Sequence, residues 1–109
     1  MPDDNEIPDG AAVFPTIAAE LNIHPLLLAA LHAVVFLGGS AEEIVHPAAA
    51  DEALGTMAGY IQRCDGADRR RVLEDLQVLR SYAKDQGWPK QLTAFLRSFA
   101  DDFGLANDE

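Results

Sequence analysis

From Pro25 to Leu37 the chain is apolar at every position except His32. A run of this length exceeds an ordinary strand and falls short of the roughly 18 residues a membrane span needs. It therefore fits a helix enclosed on most sides by the rest of the protein. Gly38-Gly39 follows as a stop, and Pro25 opens it, because proline is tolerated in a first helical turn. Every other segment has to be arranged so that it covers this one.

The remaining segments carry the same helical period. Thr16 is placed to cap a short helix through Leu21, with Asn22 at its exit. Ser40-Ala-Glu-Glu43 has the capping-box pattern, and Pro47 limits that helix to one or two turns. A further helix starts at Pro47 and runs to about Arg63, with Ala53, Leu54, Met57, Ala58 and Ile61 as its apolar stripe. Gly55 and Gly59 share one face of it, each at a cost of roughly 1 kcal/mol in helix propensity, which close approach of another helix would offset. The next helix has Asp65 as N-cap, a stripe of Val72, Leu76, Leu79 and Ala83, and Gly87 as its stop. Pro89 opens the last, whose stripe is Leu92, Phe95, Leu96, Phe99 and Phe103 and whose stop is Gly104.

No segment alternates polar and apolar residues, and no turn pair joins two strand-like runs. The expected fold class is all-α: a single small bundle of about four to five helices with short loops. Its expected organisation is a disordered acidic tail over 1–10, a bundle domain over 11–104 and a frayed C-terminus over 105–109.

Charge is segregated along the chain. Residues 1–62 hold nine acids and no Lys or Arg, whereas residues 63–97 hold all eight basic residues against five acids. The formal net charge of -10 opposes a general nucleic-acid binder, including one reading DNA with the third long helix. The N-terminus lacks the basic region of a signal peptide, so the expected location is cytoplasmic.

Several residue groups could carry chemistry. Glu43-Ile-Val-His46 has the Glu-x-x-His spacing of helical metal sites, but Pro47 truncates its helix and Glu43 already serves the expected capping box. His32 reads as a core histidine, with a pH-sensitive switch as the alternative. Cys64, between Arg63 and Asp65, reads as an unpaired thiol rather than a nucleophile. There is no phosphate-cradling glycine loop, nucleophile elbow or paired-cysteine ligand set, so neither an enzyme nor a cofactor or metal site is expected.

Within Arg69-Arg70-Arg71 the three side chains diverge. Arg71 can pair with Asp68 and Asp75, and Arg70 with Glu74. Arg69, Arg80 and Lys84 then cluster on one flank of the helix, either neutralised by acids from residues 1–62 or open to an anionic contact. Trp88, between two helix-breaking residues, anchors that turn and could anchor a partner. The functional expectation is a small acidic helical module that binds another protein, as an inhibitor or neutralising partner of a basic protein, with Arg69, Arg80, Lys84 and Trp88 as contact residues. The alternatives are a homo-oligomeric structural protein, as a homodimer through the Gly55/Gly59 face or through surplus apolar surface of the last helix, and, less favoured by the charge, a helix-turn-helix DNA binder.

Overall fold

A computed structural model describes residues 8–105. It contains four α-helices, α1 (Pro25–Gly39), α2 (Pro47–Ile61), α3 (Gly66–Gln86) and α4 (Lys90–Asp102), preceded by a 3-10 turn at Ala19–Leu21. No strand occurs among the described residues. The expected all-α bundle is therefore present.

Packing follows the stripes. α1 lies on α2 and α3 on α4. Leu27, Leu31 and Val34 of α1 meet Leu76, Leu79 and Ala83 of α3 and Leu96 and Phe99 of α4 in one continuous core. α2 is more peripheral. Ala50 is its one buried residue, while Leu54, Met57, Ala58 and Ile61 pack half-exposed against the core.

The two His-Pro pairs share a local role. In each, the proline occupies the first helical turn and the imidazole caps the helix. His24 Nδ1 accepts from the Leu26 N–H at 3.1 Å, and His46 Nδ1 accepts from the Ala48 N–H at 3.2 Å. The expected stop at Gly87 is a left-handed residue with φ of 68°, and Gly104 has φ of 72°. After each, the next residue's N–H reaches back five positions, Trp88 to the Ala83 carbonyl and Leu105 to that of Ala100. The side chain of Leu105, placed with the fraying end by sequence, is fully buried.

Three local expectations are not met, two of them because tertiary contacts win. Residues 11–18 form no capped helix at Thr16; they run without helical structure and send Phe14 into the core. Ser40-Ala-Glu-Glu43 forms turns rather than a helix. The Ser40 hydroxyl accepts from the Ala12 N–H at 2.9 Å, and the Ala41 N–H donates to the Gly10 carbonyl at 2.7 Å. A one-turn helix has little to offset its nucleation cost, so these long-range bonds win. Gly39 is needed where the two segments cross, because a Cβ there would stand 3.0 Å from that of Ala12.

The third concerns Gly55 and Gly59. A Cβ on either would meet nothing within 4 Å, and both residues are exposed, so no helix among the described residues packs against their face. Alanine at each should then stabilise the monomeric fold by about 1 kcal/mol, the propensity difference alone. Denaturant midpoints of the single and double variants check this, with sedimentation run in parallel. A homodimer built on this face would instead lose association.

A polar link fastens the N-terminal corner to α3. Asp75 is buried, and both its carboxylate oxygens accept from Arg71 Nε, at 2.9 and 3.0 Å. The His24 N–H donates to the same carboxylate at 2.9 Å, and the Arg71 guanidinium donates to the Asn22 carbonyl at 2.9 Å. Of the pairings open to Arg71 in the sequence, this is the one the fold makes. No helix among the described residues is long and apolar enough to cross a membrane.

Candidate functional site

Arg80 and Lys84 are one turn apart on α3, on the flank of its core stripe, and both are exposed. The connection 87–89 is too short to let α4 wander, so α4 returns alongside α3. Burial of Leu96 and Phe99 then fixes its rotation. Arg97, adjacent to Leu96 but off the stripe, is thereby brought to the flank that carries Lys84.

The result is a groove of about 580 Å³ lined by Arg80, Lys84, Arg97, Trp88, Thr93 and Gln77, among others. No acid lines it. Among the described residues, Arg80, Lys84 and Arg97 make no ion pair with a carboxylate, so no described acid supplies at Arg80 and Lys84 the neutralisation weighed from sequence. In a chain of net charge -10, three cations converge on one concavity. An exposed ion pair formed at any one of them with a ligand carboxylate would contribute about 0.2–1 kcal/mol, and more where several act as a network.

Trp88 gives the groove a rigid wall. Its ring is half-buried and stands edge-on to Phe14 at 5.5 Å and to Tyr82 at 5.9 Å between centroids. A large aromatic held by its neighbours offers contact area with little ordering entropy left to lose.

The other sequence candidates are distributed differently. Arg69 is not in this groove; it is half-buried and lines a neighbouring depression with Arg70, Leu73 and Glu74. The two concavities share Gln77. Glu43 stands in a turn and His46 caps α2, so the spacing that would set both on one helical face is not realised. His32 is half-buried, and its ring meets Phe14 edge-on at 5.2 Å. Cys64 lies at the exit of α2 on a separate apolar cleft.

Arg97 is the groove residue that sequence reasoning missed. The signal for it was indirect: Thr93 and Arg97 are four apart on the flank of the α4 stripe, and only the short connection from α3 shows which flank faces Lys84. No protein-family model, curated protein or solved structure matches this chain.

Proposed function

We propose that this chain is a protein-interaction module, not an enzyme, and that it takes an acidic segment of its partner into the groove between α3 and α4. The observation that supports the reading is the convergence of Arg80, Lys84 and Arg97 beside Trp88, without carboxylate partners among the described residues. Trp88 is the apolar anchor, and the three cations set register and approach. The rest of the chain carries a net negative charge and disfavours most other orientations of an anionic partner, so specificity arises from repulsion as well as attraction.

A second reading rests on a different surface. Glu42, Glu43, Asp51 and Glu52 are exposed along the α1–α2 connection and the start of α2. A basic partner, neutralised or inhibited by this chain, would dock there.

Charge reversal separates the two. Partners are captured from a native lysate on the wild-type chain and on the triple variant Arg80→Glu/Lys84→Glu/Arg97→Glu, side by side. The groove reading expects the variant to lose the captured protein, and the wild-type complex to weaken as salt rises. It expects Trp88→Ala to weaken the complex by about 2 kcal/mol or more, roughly thirtyfold. Retention unchanged or strengthened on the triple variant would refute the groove and favour the acidic face.

A further inference from the structure

A second, apolar concavity lies between the start of α1, the end of α2 and the first half of α3 and shares no lining residue with the groove. It holds about 340 Å³, within the usual range of small-molecule sites, roughly 300–1,000 Å³. Its floor is built from buried core residues, Leu27, Phe99 and Leu105. Two large apolar side chains stand in water among its lining, Leu26 at 74% exposure and Tyr60 at 61%. The Arg63 guanidinium lies over the Tyr60 ring, 4.9 Å from its centroid, and backs it from one side.

The cation there is already paired. Arg71, the one Lys or Arg in the lining, is committed to Asp75 and to the Asn22 carbonyl. Asp68 is exposed and solvated. His24 Nδ1 is engaged by the Leu26 N–H. An anionic ligand would shed its water and find no unpaired counter-charge, and a cationic one would meet only the exposed, solvated Asp68, whereas a neutral one would lose little and cover Leu26 and Tyr60. From this we infer that the cleft is a binding site for a neutral, largely apolar small molecule, distinct from the protein-binding groove.

Cys64 lines the cleft and is half-buried, so its thiol reports on occupancy. The probe is N-phenyl-1-naphthylamine, neutral at pH 7, set against 8-anilino-1-naphthalenesulfonate, which adds a negative charge to the same aromatic frame. The neutral dye is expected to brighten and saturate at one per chain. It should raise the unfolding midpoint and slow the reaction of Cys64 with a disulfide reagent in proportion to the dye bound. Ala30→Phe, which fills the cleft, should abolish the fluorescence gain while the helical circular dichroism persists. The inference fails if the neutral dye does not bind or if the sulfonate binds more tightly. In the unaltered chain, binding that leaves Cys64 equally reactive also overturns it, whether or not Ala30→Phe folds. A partner protein that protects Cys64 where the neutral dye does not would assign the cleft to protein docking instead.

Discussion

Phe14→Ala will lower the unfolding free energy by about 3–5 kcal/mol, the usual cost of emptying a buried phenylalanine site. Phe14 is 1% exposed and lies in no helix, so its large effect cannot come from propensity. Its ring stands edge-on to His32 at 5.2 Å, to Trp88 at 5.5 Å and to Phe95 at 6.3 Å. It thus joins the N-terminal segment to α1, to α4 and to the turn between α3 and α4. Losing it leaves a cavity that these rings can close only by leaving their rotamers. Denaturant unfolding measures the loss. Emission from Trp88, the single tryptophan, should shift to the red in the native state as water reaches the indole. Thr16→Ala, at the exposed position where the sequence suggested a cap, should change stability by less than about 0.5 kcal/mol. Equal effects at the two positions would contradict the described path of the segment.

Asp75→Ala will destabilise by about 2–4 kcal/mol. The substitution removes the acceptor for the His24 N–H and the counter-charge of Arg71 together. A buried donor left unmatched costs about 1–3 kcal/mol, and breaking one side of a buried ion pair costs about 3–5 kcal/mol. The full sum does not apply, because the Arg71 side chain is 42% exposed and water can rehydrate it. Asp75→Asn should lose less, since its amide oxygen can still accept one of these bonds. Thermal unfolding of the two variants orders the losses. Should alanine and asparagine cost the same, the charge on Asp75 would be irrelevant and the link a packing contact only.

How much of this was legible depended on the range of the interaction. α3 and α4 were read nearly whole, because their stripes, the stop at Gly87 and the proline at 89 are local signals. The use of His24 and His46 as caps went unread, although each sits directly before its proline, because imidazole is an uncommon cap. Ser40 looked like a capping-box residue on local pattern and is claimed by Ala12, 28 positions away. Gly55 and Gly59 suggested a packed face, and the fold leaves that face bare. Leu105 was assigned to the frayed end because sequence cannot show that the turn at Gly104 folds it back into the core.

The candidate site was legible in part for the same reason. Arg80 and Lys84 share a helix, so their common flank follows from the pitch. Trp88 follows from its place between Gly87 and Pro89. Arg69, on the same flank by angle, is eleven residues before Arg80 and lines the neighbouring depression instead. Arg97 required knowing how α4 returns. One groove therefore combines a pattern written along a helix with a juxtaposition made by packing.

The measurement that bears most directly on the interaction reading is an amide chemical-shift map of the labelled chain as its captured partner is added. Shifts centred on Arg80, Lys84, Trp88, Thr93 and Arg97, fading at higher salt, are the predicted result. Shifts confined to Glu42, Glu43, Asp51 and Glu52, with the α3–α4 groove silent, would contradict it.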